Sequence, residues 1–258
     1  MTNKNNLYSL LDAIAILLWG SLLFKYVITG QLRLLIHPNY FKLVLITSLI
    51  FFAISIIQIL LIVINRLPND SQNQHIVLFP RGVGSSILLV IAIAGFLIPP
   101  KILTSQTALQ RGVSELPLTQ IKPQAFRTAT KPETRSLIDW VRTLNAYPEP
   151  DAYHGLPANI SGFVLHLPEL PDNYIVLSRF VITCCAVDAY PIGIPVKLTT
   201  SRNNYPLDSW LEIKGEMITE TLLSKDLISA TTREKRQLVL LAKSVVTIPT
   251  PSDPYSYQ

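Results

Sequence analysis

FKLVLITSLIFFAISIIQILLIVI, residues 41–64, decides the first half of the fold. It carries one charge, Lys42 at its start, and only Thr47, Ser48, Ser55 and Gln58 break the apolar run. At about 1.5 Å per residue such a helix crosses a hydrocarbon core of about 30 Å with some tilt. Working outward, residues 10–28 form a second apolar stretch, with Asp12 and Lys25 near its ends, where side chains reach the headgroups. Lys4 is the only basic residue before it and no Ala-x-Ala follows, so a retained helix is expected and not a cleaved leader. Residues 83–98 form a third, shorter stretch closed by Pro99-Pro100 and are read as a third span.

The chain has 258 residues, 49% hydrophobic and 15% charged, with a net charge of +5. No basic helix or aromatic–basic interleaving accompanies that charge, so nucleic acid is not an expected partner; the bilayer is. Lys25, Arg33 and Lys42 surround the first loop, and Lys101, Arg111, Lys122, Arg127, Lys131 and Arg135 follow the third stretch. Lys4, Arg66 and Arg81 fall on the other side. The positive-inside rule then predicts a multi-pass protein of the cell membrane with its N-terminus outside and its C-terminal part in the cytosol.

Three parts follow: a membrane region over 1–104, a connector over 105–157, and a soluble module over 158–258. In the connector, Thr130-x-x-Glu133 has capping-box spacing, with Pro132 in the first turn. Leu137, Trp140, Val141 and Leu144 then recur at helical spacing and predict a short amphipathic helix, which packs on the membrane or the module. In the module, strands are predicted over 160–167, 174–183, 194–199, 210–218 and 237–248, separated by turn-forming residues. Residues 219–236 are polar and mixed; Leu223 and Leu227, four apart, predict a loop with a short helix there. Five strands in so short a span fit a small all-β module, and an OB-like barrel is the expected form.

The module holds the two cysteines of the chain, adjacent, in the run RFVITCCAVD over 179–188. Paired thiolates suit a soft metal ion such as zinc, with Asp188 and His166 as further ligands. The set lacks the C-x2-C spacing of a zinc signature. If the strand continues through both cysteines they point to opposite faces. Cys184 then joins Phe180 and Ile182 toward the core, and Cys185 is the accessible thiol, its thiolate favoured by Arg179. A vicinal disulfide is a third form, and one buried plus one exposed structural thiol a fourth. His37, before Pro38 at the second span, is a candidate for titration or cation binding at the membrane interface. No phosphate loop, dinucleotide motif, nucleophile elbow or His-Glu-x-x-His is present, which points away from an enzyme. Few polar groups lie in the centres of the spans, so a pore formed by this chain alone is not expected.

Several segments resemble the YcgQ-like family of membrane proteins: His37-Pro-Asn-Tyr40, 99–105 continuing to Arg111-Gly112, Gly162-Phe163-Val164, the Cys-Cys-x-x-Asp run, Asp208-Ser-Trp210, Gly215 and 251–257. Val187 stands where that family's pattern has a small residue. The resemblance implies a subunit of a two-component permease complex, with a polytopic permease-like protein as partner. Two functions are therefore carried forward. One is a non-enzymatic accessory subunit whose module binds a ligand, ion or partner. The other is a membrane-tethered thiol redox or metal-binding protein using Cys184 and Cys185.

Overall fold

The computed structural model describes residues 2–64, 82–113, 131–225 and 232–257. Arg66, Arg81, Lys122, Arg127, Thr130 and Leu227, named above, lie outside them. The chain divides into two compact units, Met1–Lys101 and Ile102–Gln258.

The first unit contains α1 (Thr2–Ile28), α2 (Phe41–Val63) and α3 (Val83–Leu97). Two helical stretches are long and apolar enough to cross a membrane, Leu7–Ile28 and Pro38–Val63. α3 is apolar but has 15 residues, a reach of about 22 Å against a core of about 30 Å. Small residues let α1 and α2 approach closely. Ser48 Oγ donates to the Gly20 carbonyl and Ser55 Oγ to the Ala13 carbonyl, each at 2.9 Å, and both serines are fully buried. A Cβ on Gly20 would lie 3.1 Å from the Phe51 Cβ. Small and hydroxyl residues serve in this way where lipid supplies no hydrophobic drive between helices. α3 is tied to α1 by polar side chains reaching its backbone: Trp19 to Leu88 O at 3.0 Å, Tyr26 to Gly95 O at 2.9 Å and Lys25 to Phe96 O at 3.1 Å. Ser85 donates to the Asp12 carboxylate, which gives the one acidic group of α1 a partner.

The second unit begins with α4 (Ser105–Arg111) and α5 (Leu137–Ala146). Six strands follow: β1 (Pro157–Leu165), β2 (Tyr174–Ile182), β3 (Tyr190–Lys197), β4 (Trp210–Lys225), β5 (Thr232–Ile248) and β6 (Tyr255–Tyr257). They form one mixed sheet in the order β1-β4-β5-β3-β2-β6, and β1 also pairs with β2. All pairings are antiparallel except β3 with β5 and β2 with β6.

Each of the five predicted strands is present. β3 starts earlier than expected because Pro191 and Pro195 hide it. Both prolines face β2 in the register, and on the other edge only Val196 and Lys197 pair with β5, so the missing N–H groups cost few bonds. In the span 219–236, expected as a loop with a short helix, the described residues 219–225 and 232–236 instead continue β4 and β5 into a long ribbon, with Thr221 opposite Arg236 and Leu223 opposite Glu234. Pairing along a ribbon needs no buried face, so the hydrophobic period is absent while the ladder persists.

The connector helix belongs to the second unit. α5 places Leu137, Trp140 and Val141 in the cluster formed by Ile160, Leu177, Ile194, Ile213 and Leu240. Each such side chain contributes about 1.5–3 kcal/mol when fully buried. Its cap lies six residues after the Thr130 expected from spacing. Ser136 Oγ accepts from the Asp139 amide at 3.3 Å, and Asp139 accepts from the Ser136 amide at 3.1 Å.

The β1–β2 ladder runs only from Phe163–Ser178 to Leu165–Val176. Gly162 permits the close approach there, since a Cβ would meet Ser178 O at 2.5 Å. Beyond Ser178, β6 takes over as the neighbour of Phe180–Ile182. Phe163, Phe180, Trp210 and Tyr255 pack together at this junction, with Phe163 and Phe180 stacked at 5.4 Å. α4 is held nearby at its start: the Leu103 amide donates to the Tyr255 hydroxyl at 2.9 Å, and the Ser105 amide to Asp208 Oδ1 at 2.5 Å. Asp208 has φ 64, a left-handed conformation that Asp tolerates better than most residues.

Candidate metal-binding turn

β2 ends at Ile182, so Thr183, Cys184 and Cys185 lie in the turn to β3 and not on the strand. The amide of Asp188 donates to the Cys185 carbonyl at 3.1 Å and closes this turn. The Asp188 carboxylate then braces it from within. It accepts from the Thr183 hydroxyl, from the Cys184 amide at 2.8 Å and from the Cys185 amide at 3.1 Å. A short side chain that takes several backbone amides is a common device for fixing a tight loop.

This geometry overturns the expected division of the thiols between two faces. Cys184 is exposed and Cys185 is half-buried, the reverse of the order predicted. Alternation across a strand does not apply past its end, and the turn brings the two Sγ atoms to 3.6 Å from each other. Among the described residues, the ligand atoms of Cys184, Cys185 and Asp188 all lie within 4.8 Å of one another. His166 is not part of this group; its Nε2 is 3.0 Å from the Tyr205 carbonyl. Val187 is 85% exposed, so its larger side chain costs the turn no space.

The electrostatics of the turn favour a protonated thiol. Hydrogen bonding to Asp188, then to Cys185, pushes the Cys184 thiol up to about 12. Burial pulls the Asp188 carboxyl up, but the bonds from Thr183, Cys184 and the two cysteine amides outweigh it and hold the group below the ordinary range. The carboxylate is thus ionised at neutral pH beside a neutral Cys184.

Arg179 does not serve the thiols as expected. Its Nε donates to Ser161 O at 3.0 Å and its Nη2 to Ser161 Oγ at 2.9 Å, and the guanidinium lies 5.3 Å from the Trp210 ring centre. It bridges β1 and β2 where their ladder has ended. Burial lowers its pKa, opposed by the charge of Asp253. His37 is also placed by structure: it is 6% exposed, and its Nδ1 accepts from the Asn39 amide at 3.1 Å at the start of the turn before α2. The sequence reading missed Arg111, whose side chain reaches the thiol turn from α4. Only its place in the segment 99–112 hinted at a role.

The chain thus joins an apolar helical unit to a mixed-sheet module with a dithiol–carboxylate turn at one strand connection. It belongs to the DUF1980 family: the DUF1980 N-terminal domain matches residues 11–114, and the DUF1980 C-terminal domain matches residues 130–258. No curated protein matches the chain.

Proposed function

We propose that this chain is a multi-pass membrane protein whose C-terminal module holds a thiophilic divalent cation, such as zinc, on Cys184, Cys185 and Asp188. The separation of the two sulfurs carries the reading. Two thiolates on one tetrahedral zinc, each at about 2.3 Å, lie about 3.8 Å apart. The two Sγ atoms stand at 3.6 Å. The third ligand is a hard oxygen already oriented toward them, and with three protein ligands the fourth position stays open for exchange.

The module is an OB-like barrel in this reading, supported by the strand path β1-β4-β5-β3-β2, which returns to β1. α3 is a third crossing, and the module faces the cytosol, as the distribution of basic residues favours. A cytosolic site keeps the thiols reduced and available. The protein works as a non-enzymatic accessory subunit, with a polytopic permease-like protein as its partner. The YcgQ-like resemblance and the scarcity of polar groups within the apolar helices support that assignment.

The thiol redox alternative has less support. A Cys184 thiol near 12 is a poor nucleophile at neutral pH. A bond between adjacent cysteines also forces a Cα separation of about 3.8 Å, below the range of about 4.4–6.8 Å that disulfides prefer.

The test is cation binding by the purified full chain in detergent. Stoichiometric zinc, or cadmium with a thiolate charge-transfer band, is expected in the wild type and absent from the Cys184→Ser/Cys185→Ser variant. Binding that survives this double substitution sinks the reading, as does no binding at all.

A further inference from the structure

α4 and the thiol turn share one side chain. Arg111, the last residue of α4, donates through Nη1 to the carbonyls of Ala189 and Ala186, the second at 3.4 Å. Ala186 follows Cys185 and Ala189 follows Asp188, so both acceptors belong to the turn that carries the ligands. The other end of the same segment is fixed to the sheet through Leu103 to Tyr255 and Ser105 to Asp208, with Ser105 and Ala108 buried. The segment is thus anchored at its start and tied at its end to the loop that carries Cys184, Cys185 and Asp188.

The two Arg111 contacts are unequal. The contact to Ala189 is close, while that to Ala186 is at the distance where a hydrogen bond becomes weak. Ala186 is joined directly to Cys185, so a backbone rotation of the turn that carries the Cys185 thiolate onto an ion also moves this carbonyl. Binding a divalent ion releases two thiol protons to solvent, and the net charge of the turn stays the same. The ion therefore acts on Arg111 through the geometry and order of the turn and not through a changed attraction. A ligand that binds only the ordered turn stabilises every contact made by that ordered form, and the effect is reciprocal.

We infer that occupancy of the Cys184–Cys185–Asp188 site tightens the hold of Arg111 on the turn and so stiffens α4, the segment that follows Pro99-Pro100. This regulation rests on the cation reading of the same site. In it, the turn is a sensor whose state is passed to α4, the first helix of the second unit.

Hydrogen exchange on the full chain in nanodiscs, with and without zinc or cadmium, tests it. The cation is expected to slow exchange in the turn 183–189 and, by about fivefold or more, in 105–111. Arg111→Gln, at an exposed position, is expected to keep the slowing in the turn and lose it in 105–111. If the wild-type turn slows while 105–111 does not, the coupling is overturned and the cation site stands. If 105–111 responds equally in Arg111→Gln, Arg111 is not the link and the inference is overturned. If no cation binds, the cation reading and this inference fall together.

Discussion

Asp188 holds Cys184 at two points: its carboxylate accepts the Cys184 amide at 2.8 Å and raises the thiol of the same residue to about 12. One acidic group therefore shapes the turn and keeps its exposed thiol protonated. The same group must release part of its bonding to serve as a ligand, so the turn trades internal bonds for metal bonds when it is filled.

Exposure and reactivity of Cys184 should therefore disagree. In a Cys185→Ser background, Cys184 is expected to alkylate slowly at pH 8 in spite of its accessibility. Adding Asp188→Ala is expected to raise that rate by about forty- to a hundredfold as the thiol falls toward its ordinary range near 8.5, the gain in thiolate exceeding its loss of nucleophilicity. Fast labelling already present with Asp188 intact rejects the hydrogen-bonded arrangement.

Metal affinity should rise with pH. Two thiols lose protons on binding, and one of them starts near 12, so across the neutral range the apparent affinity is expected to gain about ten- to a hundredfold per pH unit. Competition with a chromophoric chelator at a series of pH values measures the slope. A flat profile means that thiolates do not supply the bonds.

Acid stability of the module should depend on Glu220 as well as Asp188. Burial pulls Glu220 up, but the bonds from Lys197, at 2.5 Å, and from the Tyr174 hydroxyl hold its pKa below the ordinary value. A carboxyl depressed in the folded state adds stability that is fully present above its unfolded pKa of about 4.3 and is lost as pH falls through the folded value. Glu220→Gln is therefore expected to lower the urea midpoint at pH 7 and to flatten its decline below about pH 4. An unchanged acid limb would mean that the group is not coupled to folding.

Arg179 should matter for stability and not for metal. Arg179→Ala removes two bonds to Ser161 at the junction of β1 and β2, at an expected cost of about 1–3 kcal/mol. Lysine should restore only part of this, because it lacks the planar fork. Urea unfolding reads the cost, and zinc affinity of the folded variant is expected to be unchanged. A large loss of affinity would return Arg179 to the thiol site.

Topology can be read directly. Reporters placed after Ser105 and after Gln258 are expected to score cytosolic, and one in the α2–α3 connection extracytosolic. Ser55→Leu is expected to destabilise the α1–α2 pair in detergent by about 1–3 kcal/mol, since its hydroxyl sits buried against Ala13. Two extracytosolic scores at the first two positions invert the orientation.

Much of this fold was legible because the signals are local. Residues 41–64 are apolar throughout, and Leu211 and Ile213 alternate with Trp210, Glu212 and Lys214 as a half-buried strand should. What failed was non-local or lay at an end. The run from Arg179 through Cys185 is uniformly strand-like in composition, and nothing in it marks Ile182 as the last paired residue. Asp188, which ends the strand in effect by drawing in the amides of Cys184 and Cys185, comes later in the chain. The ribbon beyond Thr219 escaped because its pairing needs no apolar period. Arg111 escaped because its acceptors, Ala186 and Ala189, are carbonyls whose position only the folded turn defines.

The junction of β1, β2 and β6 has a consequence for biosynthesis. Phe163 and Phe180 are made well before Tyr255, whose ring covers Phe180 and whose strand occupies the edge of β2 at Phe180–Ile182. Until Tyr255 has been made, the β2 edge has no β6 neighbour and the Phe180 ring lacks its contact with Tyr255, while Phe163 and Trp210 can already pack. A chain cut before Tyr255 is therefore expected to expose the β2 edge at Phe180–Ile182 and one face of the Phe180 ring.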